Sequence, residues 1–464
     1  MNVLILSYGK ENEIKNSLSF LNELSTHNVL LATVMDYNHS AVKALLKYEN
    51  FQENKKYKHL FYYFYQDRFI NEMSELDGYV SIDNNLEDMW KNFYRVVNFI
   101  EEIFIDFQPN IIYSGSPDNY FVNLFIKIAE MKNIKYFWLE QSYFQKDAFT
   151  FFSDITYTND IFRNKNITKS LEVESFFKKD VIKSNPTLFV KSNFKEKIIQ
   201  NFHYINKLRG LNLIDKFDLM LIPYISLPKN NFKNKFIRLK NRVLNRILLN
   251  RHSFSIEDIR LDSKKYKLIL LALHYQPEAI TLSAQPLLNN QYQLVKLISD
   301  ILPPGYILLV KEHPLQDIGL RNPYVYKQMI KKKNVKIVKQ NISSSYLIEN
   351  EYIDRVMSIG GTIGFEEILR RKPSMVFSDI YYANFKYVIK ANLETIDTFI
   401  EDMHRFLNFE YNDNKTEYET ELKIFLTKYY RSIVKDKSRE DAIGDVVNNI
   451  SNYWNTESQI DETI

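Results

Sequence analysis

Apolar residues in this chain recur in short runs broken by polar turns, and the pattern is sharpest between residues 268 and 382. Five runs there have the length and composition of buried strands: 268–273 (LILLAL), 306–310 (YILLV), 335–338 (VKIV), 355–359 (RVMSI) and 374–377 (SMVF). Between them, helical spacing covers 290–301, 324–333, 344–350 and 363–371. Strands alternating with helices predict a parallel, doubly wound sheet. The first half repeats the theme less cleanly. Strands are expected at 2–6, 29–34, 110–113 and 134–139, and helices at 14–24, 86–107 and 119–131. Residues 153–250 give no topology. Beyond 382 the pattern turns helical over 396–409, 417–434 and 440–453, with a polar, frayed tail at 455–464. The fold class is therefore α/β. Three regions are expected: 1–262, carrying a helical insertion; 263–435, the Rossmann-like part; and 436–464, a helix and tail.

In a parallel sheet, ligands sit in the crevice at the carboxyl ends of the strands. The polar residues of 268–382 fall at those ends. His274, Gln276 and Glu278 follow the first strand. Lys311, His313 and Pro314 follow the second, and Asn341 with Ser343, Ser344 and Ser345 the third. Gly360, Gly361 and Thr362 follow the fourth. Glycines after a strand let the backbone approach a ligand, and the helix they open presents free N–H groups to a phosphate. Thr362 can cap that helix or bind the phosphate. Glu366, one turn in, can reach a ribose hydroxyl. Lys311 and His313 can neutralise phosphate, and Pro314 holds the histidine extended. Glu278 suits an acid, a base or a sugar-hydroxyl ligand. In the first half, Ser7 to Gly9, Ser114 to Asp118 and Glu140 lie at equivalent strand ends, so Glu140 is a second candidate carboxylate. Each also has a plain structural reading: a helix cap, a loop hydrogen bond or a buried ion pair.

Composition narrows the chemistry. Of the 464 residues, 45% are hydrophobic and 25% charged, as in a folded globular protein. A net charge of +4 is too small to argue for a nucleic-acid partner. No cysteine is present, so disulfides and thiol catalysis are excluded. The eight histidines are scattered and no paired aspartates suggest a Mg²⁺ site, so neither a metal nor a cofactor is expected. No apolar run approaches the ~20 residues of a membrane span, and 1–9 lacks a basic leader. A cytoplasmic protein is expected. One segment complicates this. Residues 229–251 hold eight Lys or Arg and no acid, with Phe232, Phe236 and Leu239 among apolar residues at helical spacing. A solvated helix packing its apolar side and a helix lying on an anionic membrane surface both fit.

Three runs carry a family resemblance: LALHYQPEAITLSAQP at 271–286, ILLVKEHPLQ at 307–316 and GGTIGFEEILRRKPSMVF at 360–377. Their order and motifs, glutamine-x-glutamate, His-Pro, and a glycine/threonine turn into a Glu-bearing helix, resemble bacterial capsule and surface-polysaccharide biosynthesis proteins. That group includes the retaining Kdo (3-deoxy-manno-octulosonate) transferases. The resemblance implies two facing Rossmann-like domains of GT-B type and a metal-independent glycosyltransferase. It also implies a nucleotide-sugar donor, CMP-Kdo or a related acidic sugar favoured, and a capsule, lipopolysaccharide or other glycan acceptor. On it, Glu278, Glu140 and His313 are the catalytic candidates. Gln276, Lys311, His313, Pro314, Ser343, Ser344, Ser345, Gly361, Thr362 and Glu366 would bind the donor. Residues 1–260 hold no motif of that group. Polyol-phosphate transfer from a CDP donor, nucleotide-sugar epimerisation and an inactive glycan-binding scaffold are the alternatives.

Overall fold

The computed structural model describes residues 1–7, 17–18, 24, 26–34, 39–61, 86–115, 117, 120–141, 148–153, 232–275, 288, 290–314, 316–411, 415–431, 433–435 and 439–448. Its first strand, β1 (Asn2–Ser7), is buried along nearly its whole length. An apolar run without alternation is what a strand covered on both faces requires. It is followed by β2 (Asn28–Thr33) and β3 (Val42–Ala44). Next come helix α1 (Leu86–Asp106), β4 (Ile111–Ser114), α2 (Tyr120–Met131), β5 (Lys135–Gln141) and β6 (Ala148–Phe152). β1, β2 and β3 pair in parallel on one side, while β4 and β5 add in parallel on the other. β6 reverses direction against β5. Aromatic residues fill this core: Trp138 stacks on Phe152 at 4.8 Å and Phe121 meets Phe125 edge-on at 5.0 Å. Each such pair adds about 0.5–1.5 kcal/mol beyond area burial.

The second sheet begins earlier than residue 263. Helix α3 (Phe232–His252) runs straight into β7 (Ser253–Phe254), then α4 (Ile256–Asp262), whose start is closed by a reciprocal Ser255–Asp258 capping box. The chain continues through β8 (Lys267–Ala272), α5 (Gln291–Ile301), β9 (Tyr306–Lys311), α6 (Pro323–Lys331), β10 (Val335–Val338) and α7 (Ser344–Glu349). Then come β11 (Arg355–Ser358), α8 (Thr362–Leu369), β12 (Ser374–Val376) and β13 (Val388–Lys390). The order across the sheet is β13-β12-β11-β8-β9-β10-β7, and every pairing is parallel. The chain works outward from β8 to β10, then restarts at β11 on the other flank. β1 to β3 and β4 to β5 follow the same plan in the first sheet.

After α9 (Ile396–Asn408) and α10 (Lys415–Arg431), the chain goes back to the first sheet. β14 (Ile433–Lys435) pairs antiparallel with β6, and α11 (Arg439–Asn448) buries Ile443, Val446 and Val447 in the cluster holding Val3, Ile5 and Ile111. The helix expected over 417–434 therefore ends at Arg431, and Val434 is a strand residue. Pairing with β6 decides this, because three residues carry no period of their own. Sheet membership accordingly crosses the expected boundaries at 262 and 435. Of the helix expected at 14–24, only Ser17 and Leu18 are described as helical. Among the described residues no helix is long and apolar enough to cross a membrane.

Candidate active site

The restart of the second sheet puts β11 beside β8. Such a switch point opens a crevice at the carboxyl edge. His274 follows β8 into it and Ser358 closes β11. The amide of Gly360 donates to His274 Nε2 at 3.1 Å, and Ser358 Oγ lies 3.4 Å from the same nitrogen. An Nε2 that accepts from an amide must keep its lone pair, so its proton is on Nδ1 and the ring is neutral. The main chain of His274 is fixed as well. Its N–H donates to Gln291 Oε1 at 2.9 Å, and its carbonyl accepts from Gln291 Nε2 at 3.2 Å and Arg321 Nη2 at 3.1 Å.

Two glycines make this packing feasible. A Cβ on Gly361 would stand 2.9 Å from Ser358 Oγ and 3.4 Å from His274 Nε2. One on Gly364 would stand 2.6 Å from the Tyr382 hydroxyl, which donates to the Gly361 carbonyl. Gly361, not Thr362, occupies the cap position of α8, and no side chain caps that helix. Thr362 is the first helical residue. The amides of Gly360 and Gly361 are spent on His274 Nε2 and Ser358 Oγ, and that of Gly364 on the Gly361 carbonyl, so the donors that the α8 start keeps are the amides of Thr362 and Ile363.

The His-Pro loop leaves β9 next to this point. Lys311 is buried, and its ammonium donates to the carbonyls of Glu312 at 2.9 Å and Gln340 at 3.0 Å. Two of its three N–H bonds therefore hold the loop, leaving one for a ligand. Burial lowers its pKa to about 8, partly offset by Glu312, so it remains charged at neutral pH. Glu312 turns inward. Its carboxylate takes Arg321 Nε at 3.1 Å, Nη2 at 3.2 Å and the Tyr326 hydroxyl at 2.8 Å. Gln340 Nε2 gathers the carbonyls of His313 (3.0 Å), Pro314 (3.4 Å) and Gln316 (3.0 Å). The His313 ring is half-buried and meets Tyr275 edge-on at 5.7 Å, tying the ends of β9 and β8 together.

A third group lies where α7 meets α8. Ser343 caps α7 by accepting from the Tyr346 amide at 3.5 Å. Ser344 is half-buried in the first turn. Ser345 Oγ donates to Glu366 Oε2 at 3.1 Å. Burial holds the Glu366 carboxyl above the usual carboxylate range, against the pull of Arg370 and Ser345. Its neighbour Glu367 is fully buried on another face, and neither carboxyl oxygen has a hydrogen-bond partner among the described residues. Burial raises it to about 7 despite Lys372 and Arg370.

No family model matches the chain, and no curated protein sequence matches it. Solved structures similar to it include the Methanocaldococcus jannaschii UDP-GlcNAc 2-epimerase in complex with UDP-GlcNAc and UDP. That match has 11% identity and a TM-score of 0.30, covering 97% of this chain and 100% of that one. The Thermosulfurimonas dismutans KpsC β-Kdo 2,4 transferase is also similar, at 11% identity and TM-score 0.34, over 86% of this chain and 89% of that one. So is the N-terminal domain of Candida albicans trehalose-6-phosphate phosphatase, at 11% identity and TM-score 0.34, over 98% and 97%. At these scores the similarity assigns no family.

The sequence-predicted residues thus fall into separate groups. Gly361 packs against His274 at the switch point, and Thr362 opens α8 next to it in sequence. Lys311, His313 and Pro314 share the Gln340-clamped loop. Ser345 and Glu366 form a pair. Gln276 and Glu278 lie outside the described residues. Glu140 sits in β5 opposite Thr150. Ser7 and Ser114 end the adjacent strands β1 and β4, the switch point of the first sheet. Ser114 Oγ is buried without a partner among the described residues, and the space beside Gly115 is open. Tyr8, Gly9, Ser116 and Asp118 lie outside the described residues. Sequence reasoning did not select Gln340, Arg321, Gln291 or Ser358. The first three act through main-chain carbonyls or a buried partner, which leaves no motif. Ser358 ends its strand in the run RVMS, a position that signals a strand end only once the sheet order is known.

Proposed function

We propose that this chain is a glycosyltransferase. In this reading it moves a sugar from a nucleotide donor to a bacterial surface glycan, of capsule or lipopolysaccharide type. A CMP-activated acidic sugar such as CMP-Kdo is the favoured donor. The observation that carries the reading is the second switch point. A neutral histidine locked by Gly360, an α8 start with no side-chain cap and the His-Pro loop meet at one sheet edge.

Glycosyl transfer leaves negative charge on the departing nucleotide phosphate. Main-chain donors of α8 and the His313 imidazole suit that charge as it grows. Gly361 lets a phosphate approach the backbone. Lys311 adds positive charge beneath the loop and holds its shape. Glu366, fixed by Ser345, is suited to a ribose hydroxyl. Glu278 is the first choice for the carboxylate that acts on the sugar or the acceptor hydroxyl, with Glu140 the second. The acceptor would enter along the carboxyl edge of the first sheet near Ser7 and Ser114.

The test is a panel of CMP-, CDP- and UDP-sugars, with nucleotide release followed with and without glycan acceptor. Release of CMP that requires acceptor is expected, and Glu278→Gln should keep the fold and lose most turnover. Sugar interconversion without acceptor would replace the reading by an epimerase. Polyol-phosphate transfer from a CDP donor would make it a phosphotransferase. No binding and no release with any donor would leave a scaffold.

A further inference from the structure

The basic segment at 229–251 forms α3, and its two faces do different things. The inner face docks on the turn that follows the His-Pro loop. Arg238 Nε and Arg242 Nε donate to the Asp317 carboxylate at 2.9 and 3.2 Å. Asn245, fully buried, donates through Nδ2 to the carbonyls of Ile318 at 2.6 Å and Arg321 at 2.7 Å. Burial works against the Asp317 carboxylate, but Arg242, the Gly319 amide and Arg238 outweigh it and bring the group down to about 2. These arginines therefore belong to an internal latch.

The outer face has a different composition. Leu239, Val243 and Ile247 lie four residues apart, on one stripe of the helix. They are 49%, 51% and 46% exposed. Lys240, Arg246 and Arg251 flank the stripe and are exposed, and none of them forms an ion pair among the described residues. No acid occurs between 229 and 251. Three half-exposed aliphatic side chains edged by cations match a surface that is apolar beneath and anionic on top. Two copies of this helix paired about a two-fold axis would instead set cations against cations.

We propose that the outer face of α3 is a docking surface for an anionic lipid bilayer. Leu239, Val243 and Ile247 enter the interface, and Lys240, Arg246 and Arg251 meet the headgroups. The latch on Asp317 fixes the helix to the second sheet, so the bound protein presents one orientation. This proposal is independent of glycosyl transfer.

Flotation of the full chain tests it, with vesicles of phosphatidylglycerol and phosphatidylcholine against phosphatidylcholine alone. Wild type should float with the anionic vesicles and stay down with neutral ones, and added salt should release it. Lys240→Glu with Arg246→Glu and Arg251→Glu, which removes three cations and adds three anions, should weaken binding by more than about a hundredfold. Leu239→Ser with Val243→Ser and Ile247→Ser should also lose binding. All six positions are exposed or nearly half-exposed, so unchanged thermal melts are expected and keep the comparison valid. Arg238→Gln with Arg242→Gln should instead lower the melting temperature. The proposal falls if wild type does not float, or if the charge-reversed protein floats as well as wild type. It also falls if the apolar triple variant converts a wild-type dimer to monomer in light scattering, which would assign the stripe to a second copy.

Discussion

The two sheets share a strand plan but differ in what they bury. Among the described residues of the first, the buried polar side chains are Ser7, Thr33, Ser114, Asn123 and Thr150, none of them ionisable near neutral pH. The second buries His274, Lys311, Glu312, Arg321, Arg355, Glu367 and Asp402. Burying a charge costs several kcal/mol unless it is paired and hydrogen-bonded. The second sheet meets that cost at Glu312, which has three donors, and leaves it unmet at Glu367, which has none among the described residues. A common topology can therefore support a plain aromatic core in one half and a dense ionic framework in the other. Of the seven ionisable side chains, five (His274, Glu312, Arg321, Glu367 and Asp402) sit on loops or helices that follow a strand, while Lys311 closes β9 and Arg355 opens β11.

The largest expected effect tests that framework. Glu312→Ala strands Arg321 and removes the Tyr326 acceptor, so urea denaturation should show a loss of about 3–5 kcal/mol. A loss below about 1 kcal/mol would mean that the second edge is held no more tightly than the first. Next is Glu367, whose sign follows from linkage. Below about pH 4.5 both folded and unfolded chains hold its proton, and burial carries no ionic penalty. As pH rises toward 7 the unfolded chain releases the proton first, so stability falls, and it levels off above 7. Glu367→Gln should therefore be more stable than wild type by about 3 kcal/mol at pH 8.5, the gap closing by about pH 4.5. A gap independent of pH would show that the carboxyl finds a partner. His313→Ala should weaken nucleotide binding by about 1–3 kcal/mol in calorimetry; unchanged affinity removes His313 from the site. The smallest change is expected in the first sheet. Ser114→Ala removes a hydroxyl with no partner among the described residues, and stability should stay within about 0.5 kcal/mol of wild type.

Much of the second sheet was legible because its strands are buried on both faces. The run at 335–338 matches β10, and the other four differ from the observed strands by a residue or so at an end. The very short strands Val42–Ala44, Ser253–Phe254, Val388–Lys390 and Ile433–Lys435 were missed, since two or three residues carry no period of their own and pairing defines them. At the candidate site, sequence picks out strand ends and glycines well. It cannot say which way a side chain turns. Lys311 read as a phosphate ligand, yet two main-chain carbonyls take most of its hydrogen bonds. The cations at 229–251 read as one basic surface, yet Arg238 and Arg242 face inward because Asp317, far along the chain, lies beneath them.

The late return of β14 has a consequence for how the molecule can be taken apart. Strands β7 to β13 all lie between β6 and β14 in sequence, so the second sheet is an insertion within the first. The two are joined by two covalent crossings. A cut in the first crossing leaves the second sheet attached to the first only through β14, held by its pairing with β6. Cutting after Arg431 is different in kind. It removes the strand that covers β6 and bares the edge at Ala148–Phe152, where Phe149, Phe151 and Phe152 would invite pairing with a neighbouring molecule.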